Sequence, residues 1–245
     1  MENKQIRLLE TDYHSAYWNM ALDQVLMEQA AAGQGTFPCL RLYRWKPPAV
    51  SIGYFQRLRE EVDVDKCREL GVDIVRRATG GGAVFHDAEL TYSFVTKIYP
   101  DNILESYKLV CGAILSGLES IGIKGQFSPL NDLVLGGKKF SGNAQTRKNG
   151  VMLQHGTILL QVDVEKMFSL LKVPDEKMRG KLISSVKERV TGLDIPYQKA
   201  SQAVKEGFSL AFGATLAKSD VSLKELMATE NASKIYSSLQ WLDRV

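Results

Sequence analysis

Val75-Arg76-Arg77-Ala78-Thr79-Gly80-Gly81-Gly82-Ala83-Val84-Phe85-His86-Asp87 joins an apolar run to a second β-prone segment through three consecutive glycines. Glycine lacks a Cβ, so such a run can turn sharply and lie close to a ligand. Successive N–H groups exposed in a tight turn form a concavity suited to phosphate or carboxylate. Arg76 and Arg77 place two forked cations beside it. The residues alone leave two readings: an anion-binding loop between strands, or a Gly-rich hairpin with two solvated arginines. The run fits neither the GxxxxGK[ST] phosphate loop nor the GxGxxG turn before a helix.

On the N-terminal side, residues 6–10 and Cys39 to Trp45 read as strands, with 49–55 a third. Between the first two, Ser15 is placed to cap a helix whose apolar stripe is Trp18, Ala21, Leu22, Val25 and Leu26. Residues 62–70 read as a helix stopped by Gly71, and 72–77 as the strand entering the glycine turn. On the C-terminal side, 83–86 and 90–97 extend the sheet. Residues 103–121 form a second amphipathic helix, and 133–145 a hairpin. Asn149-Gly150 signals a tight turn into a strand over 151–162. A short helix over 164–171 follows. Residues 172–193 are charged and without a clear period, and are expected to be an irregular connection. A helix over 200–212 and a weakly patterned tail over 223–244 complete the chain. Mixed elements and neighbouring strands joined by tight turns predict an α+β fold with a mostly antiparallel sheet and flanking helices.

The chain has 245 residues, a net charge of +3 and three cysteines. So small a charge does not point to nucleic acid. The cysteines have neither metal-ligand nor disulfide spacing, and an odd number fits a reducing compartment. The first ten residues contain no secretory core, and no apolar run reaches membrane-spanning length. These features predict a cytoplasmic protein without a membrane partner.

RRATGGGAVFHD resembles the signature of the lipoate–protein ligase family, which includes lipoyl and octanoyl transferases and is related to biotin ligases. Two further stretches match it in order: residues 15–23, ending Asn19-Met20-Ala21-Leu22-Asp23, and the downstream set Asn131-Asp132, residues 137–145 and His155-Gly156. The resemblance is weaker out to about Val190-Thr191. It implies a catalytic domain like that of the biotin and lipoate ligases. One catalytic domain is expected over 1–245, with its core over about 1–195, a helical C-terminal part over about 198–245, and no separate accessory domain. The GRGR-type loop of biotin ligases is replaced here by RRATGGG.

For the ligase branch the resemblance implies activation of lipoate, or octanoate, with ATP to an acyl-adenylate. Transfer to a lysine of a lipoyl carrier domain would follow. ATP and Mg2+ are then the implied cofactors and lipoate the substrate. The implied partners are a 2-oxoacid dehydrogenase acyltransferase subunit or a glycine cleavage carrier protein, with a separate small accessory subunit as a further candidate. Lys139, in Lys139-Phe140-Ser141-Gly142, matches the lysine of the family's lysine-x-Ser-Gly motif and is the implied catalytic cation. Alternation along a strand then turns Lys138 away. Arg77, Gly81, Gly82, Ala83, Val84, Phe85, Asn131, Asp132 and Gly142 are the implied adenylate-binding residues, Asp132 being also the candidate Mg2+ ligand. His86, Ala144 and His155 are further candidates. The turn at Gly53-Tyr54-Phe55-Gln56 resembles one that lies near the family's ligand, although an aromatic pair packed in the core explains it equally well.

The competing enzyme class moves octanoate or lipoate between carrier proteins without ATP, through a cysteine thioester. The resemblance implies two positions for that thiol. Here they are residues 124–129 and 171–175, and neither contains cysteine. The sequence therefore favours the ligase, with the transferase as the alternative and a non-catalytic adenylate-binding relative as a third reading.

Overall fold

The computed structural model describes residues 4–172 and 179–244. The chain begins β1 (Gln5–His14), α1 (Ala16–Ala31), β2 (Cys39–Trp45), β3 (Ala49–Ile52), α2 (Leu58–Glu61), α3 (Val64–Glu69), β4 (Asp73–Arg76), β5 (Val84–His86) and β6 (Glu89–Thr96). It continues α4 (Ile103–Ser120), β7 (Gln126–Ser128), β8 (Asp132–Leu135), β9 (Lys138–Lys148), β10 (Val151–Leu159) and α5 (Val164–Leu170). It ends α6 (Arg179–Arg189), α7 (Tyr197–Phe212), β11 (Thr215–Lys218), α8 (Leu223–Tyr236) and α9 (Leu239–Leu242).

Eight strands form one sheet in the order β11-β1-β2-β6-β10-β9-β8-β7, and β4-β3-β5 form a second. In the large sheet β1 pairs in parallel with β2 and β11, and the other pairs are antiparallel. The parallel β1–β2 pair needs a crossover, which α1 supplies. The fold is thus α+β with a mixed, mostly antiparallel sheet and flanking helices. Among the described residues no helix is long and apolar enough to cross a membrane.

α4 and α7 cover one face of the large sheet, packing Val110, Ile114, Val204 and Phe208 onto Leu40, Leu42 and Phe94. These two helices meet through glycines. A Cβ on Gly117 would lie 1.8 Å from the Ala203 carbonyl oxygen, and one on Gly207 would lie 2.0 Å from that of Ala113. α1 covers the other face, with Leu22 and Leu26 against Leu9, Val95 and Leu153. α8 packs behind α1 and is tied to β1 by a buried bidentate pair between Arg7 and Glu225.

Two local expectations are corrected. The irregular connection contains a helix, α6. Its apolar Leu182, Ile183 and Val186 are only partly buried among charged neighbours, so no strong stripe marks it. Part of that connection, residues 173–178, lies outside the described residues. The second correction is two short edge strands that carry little pattern, β7 and β11.

Candidate active site

The glycine turn is built by close approach of two backbones. Gly53 follows β3, and a Cβ there would sit 2.0 Å from the Gly81 carbonyl oxygen. The Tyr54 N–H donates to the Thr79 carbonyl at 2.9 Å, and Gly81 has φ of 98°. Both positions therefore require glycine.

Neither arginine before the turn is solvated. Arg76 donates to the carbonyls of Gly53, Tyr54, Gln56, Trp241 and Leu242, pinning β4 to the turn after β3 and to α9. Arg77 donates through Nη1 to the Ser51 carbonyl and Oγ, at 2.8 and 2.7 Å, and through Nη2 to the carbonyls of Gly80 and Gly82. Burial lowers its guanidinium to about 10, which leaves it charged at neutral pH. Its donors thus brace the turn from within.

Thr79 ends a second brace. Its Oγ1 lies 2.7 Å from His155 Nε2, and His155 Nδ1 lies 3.1 Å from Asp23 Oδ2. Asp23 also accepts from Arg41 at 2.9 Å and Ser93 at 2.7 Å. Burial alone would raise its carboxyl, but the His155 hydrogen bond, Arg41 and Ser93 bring it below the ordinary value.

A similar chain runs on the other side of Arg77. His86, on β5, faces Ala49 across an antiparallel pair with β3. The diagonal neighbour on that face is Ser51, and such neighbours are within side-chain reach. Ser51 Oγ lies 2.6 Å from His86 Nε2, and His86 Nδ1 lies 2.6 Å from Glu89 Oε1. His86 stacks on Trp45 with ring centroids 4.0 Å apart. Trp45 Nε1–H donates to Thr91 Oγ1, which donates in turn to Glu89 Oε1, both at 2.7 Å.

Lys139 is placed by β9. Between β8 and β9 the register shifts, pairing Val134 with Lys139 but Leu133 with Ser141, and Phe140 is fully buried. Such a bulge re-aims the side chains beside it. Lys139 Nζ lies 2.8 Å from Asp132 Oδ1. A Cβ on Gly142 would stand 2.9 Å from both Cε and Nζ of Lys139, so glycine leaves room for the ammonium. Asn131 and Asn143 exchange side-chain-to-backbone hydrogen bonds that join the two sides of the hairpin. The segment that follows α6 closes over this corner: Val190 bridges to Lys139 in parallel, and the Thr191 N–H donates to the Lys139 carbonyl at 2.9 Å.

These elements surround a cavity of about 780 Å³. Arg77, Gly81, Gly82, Ala83, Val84, Phe85, His86, Asn131, Asp132, Lys139, Gly142, Ala144 and His155 all line it. Lys138 is exposed and does not. Tyr54 and Phe55 are also absent from its wall. Phe55 is 78% exposed and stands edge-on to Tyr54, so this pair neither meets the cavity nor fills the core. Sequence reasoning missed Ser51 and Glu89, which also line the cavity. The only signal for Glu89 was its spacing of three from His86, and Ser51 sat inside an apolar strand.

Asp132 is engaged with Lys139, and among the described residues no group of three His, Cys, Asp or Glu side chains is arranged to hold a metal. Cys39, Cys67 and Cys111 are buried and none lines the cavity. Burial pushes their thiols up to about 12, 11 and 12 respectively.

The lipoyl protein ligase A/B catalytic domain matches residues 15–212. The octanoyltransferase LipM of Kyrpidia tusciae is 35% identical over 267 aligned positions, covering 96% of this chain and 97% of that protein. The octanoyltransferase LipM of Brevibacillus brevis is 33% identical, covering 97% and 98%. Among solved structures, a bi-partite lipoate protein ligase of Thermoplasma acidophilum superposes with a TM-score of 0.89 at 31% identity, covering 99% of this chain and 96% of that one. The chain belongs to the lipoyl protein ligase A/B catalytic domain family. The full-length octanoyltransferase relatives overturn the sequence expectation of an ATP-dependent, AMP-forming ligase with ATP and Mg2+ as cofactors. The run RRATGGGAVFHD did not separate the branches of the family.

Proposed function

We propose that this protein is an acyltransferase that moves an octanoyl-type acyl group from a carrier thioester to the ε-amine of a lysine on a lipoyl-type domain, without ATP. The observation that carries the reading is the similarity, over nearly the whole of both chains, to proteins named octanoyltransferase. The cavity suits the cargo. Met20, Trp45, Leu159, Val162 and Met167 give it apolar wall for an alkyl chain. Lys139 supplies a cation at the same wall, where acyl transfer places negative charge on the carbonyl oxygen of the tetrahedral intermediate. Asp132 holds that ammonium in place. Lipoyl-type acceptors are supported by the archaeal relative, which was studied with its E2 lipoyl domain.

The test is intact mass spectrometry of a lipoyl domain after incubation with this protein and an octanoyl-carrier thioester, with no nucleotide present. Octanoylation of one domain lysine is the expected result. An unmodified domain, with purified protein shown to be folded, contradicts the proposal.

A further inference from the structure

The glycine turn that lines the cavity rests on a second turn, residues 53–56. Gly53 lies so close beneath Gly81 that a Cβ would meet the Gly81 carbonyl, and the Tyr54 N–H holds the Thr79 carbonyl at 2.9 Å. Gln56 closes the lower turn. Its Oε1 accepts from the Gly53 N–H at 2.8 Å, and its own N–H donates to the Gly53 carbonyl at 3.1 Å. None of residues 53–56 lines the cavity. Whatever fixes them therefore acts on the cavity only through the glycine turn.

Arg76 is what fixes them. Its side chain is fully buried, and its hydrogen bonds go to five main-chain carbonyls and to no carboxylate. Nη1 reaches Gly53, Tyr54 and Gln56 at 3.1, 2.9 and 2.6 Å. Nη2 reaches Leu242 at 2.6 Å, and Nε reaches Trp241 and Leu242 at 3.2 Å each. A buried cation must be compensated by hydrogen-bond partners. Here the lower turn supplies one half of them and α9 the other. The last carbonyls of a helix have no partner within it, so those of Trp241 and Leu242 are free for this use. Trp241 returns the bond, its Nε1–H donating to the Arg76 carbonyl at 3.0 Å.

α9 adds little to the core. None of its residues is fully buried, and Leu239 is 78% exposed. What it brings to β4 is two carbonyls, one indole N–H and an aromatic contact. The Trp241 ring stands edge-on to Tyr54 with centroids 6.1 Å apart, and Arg244 lies over both rings. The contacts of α9 thus converge on Arg76 and on the turn that carries the glycines.

We infer that Arg76, Trp241 and the end of α9 form a strut that positions the glycine turn, so that α9 sets how tightly the cavity holds its acyl donor. The identity of that donor rests on the acyltransferase reading. Arg76 and Trp241 are positioning residues: neither lines the cavity, and both act through Gly53 and Gly81. Coupling between two sites is reciprocal. A donor that orders the glycine turn steadies α9, and a loosened α9 weakens the hold on the donor.

The experiment loosens one end of the strut and reads the other. Trp241→Ala removes the indole, and Trp241→Phe keeps a ring but loses the N–H donor. Gly117→Ala, overpacked between α4 and α7, controls for lost stability alone. Hydrogen exchange is followed by mass spectrometry, each peptide being compared with those of β10 in the same protein. Without ligand, the peptide carrying the Tyr54 and Gln56 amides should exchange faster in both Trp241 variants and not in Gly117→Ala. Octanoyl-pantetheine should slow exchange at the Leu242 and Asp243 amides of the parent and not of Trp241→Ala. In transfer to a lipoyl domain, Trp241→Ala should raise the KM for octanoyl-pantetheine about tenfold with kcat nearly unchanged, as loss of uniform binding does. Trp241→Phe should shift the same way by less. An unchanged Tyr54 peptide in both Trp241 variants, or a KM no different from that of Gly117→Ala, overturns the inference and leaves the acyltransferase reading standing. A parent that neither transfers nor is protected by octanoyl-pantetheine overturns that reading and the donor's part in the inference. The ligand-free exchange then still decides whether the strut holds the turn.

Discussion

Lys139 Nζ stands 2.8 Å from Asp132 Oδ1, across the short hairpin between β8 and β9, while Lys138 on the same strand points out of the cavity. Two adjacent lysines are thereby given different surroundings by strand alternation together with the bulge beside Lys139.

The first expectation follows from that difference. Removing a cation aimed at developing negative charge costs roughly 10²–10³-fold in rate. Lys139→Ala should lose that much acyl transfer and Lys138→Ala should stay near the parent, with rates taken from initial octanoylation of a lipoyl domain. Equal rates in all three proteins would remove Lys139 from the chemistry.

Gly142 and Gly117 are glycines for different reasons, and substitution separates them. A methyl on Gly142 meets the movable end of Lys139, so Gly142→Ala should fold normally and transfer slowly. A methyl on Gly117 meets the Ala203 carbonyl of a packed helix. Overpacking of that kind costs about 1–3 kcal/mol. Gly117→Ala should therefore lower the urea midpoint while sparing activity per folded molecule.

The three cysteines should be dispensable for turnover. Their thiols are buried and held protonated by that burial, and none reaches the cavity. Changing Cys39, Cys67 and Cys111 together to alanine should lower stability through small cavities yet retain ATP-free transfer, once rates are normalised to folded protein. Loss of transfer in a folded triple variant would place the nucleophile on one of them.

Acid lability is expected from Glu225. Burial would raise its carboxyl, but the Arg7 hydrogen bond and the Ser222 contacts outweigh it and lower the group overall. A carboxyl depressed in the folded state stabilises fully above its unfolded value of about 4, and that contribution is lost as pH falls through the folded value. The urea midpoint should drop between pH 6 and pH 3, and Glu225→Gln should flatten the drop while lowering the plateau. A midpoint with the same pH slope in both proteins would show that the pair contributes nothing.

Much of this fold was legible because its elements are locally consistent. Cys39 to Trp45 reads as a strand from its aromatic and alternating residues and is one. Ser15 caps α1 through Trp18 N–H, as a serine before an apolar stripe should. Asn149-Gly150 turns with both φ positive, at 52° and 72°. β7 and β11 were not legible because strands of three or four residues at a sheet edge gain their pairing from neighbours distant in sequence. The cavity's motif residues could be gathered from three separated stretches. Ser51 and Glu89 could not, because the contact joining them is a diagonal across β3 and β5 followed by a step between sheets. The branch of chemistry was hidden for a different reason. The glycine turn and Lys139 serve any reaction that stabilises an oxyanion beside an acyl chain, so their presence does not say what leaves.

The identity of the leaving group is what the central claim asserts, and one measurement reads it. A lipoyl domain is incubated with this protein in two mixtures. One contains an octanoyl-carrier thioester and apyrase, and the other free octanoate with ATP and Mg2+. Octanoylated domain and free carrier thiol, one for one, in the apyrase mixture and none in the second is the predicted result. Octanoylation confined to the second mixture, with AMP released in step, would contradict it.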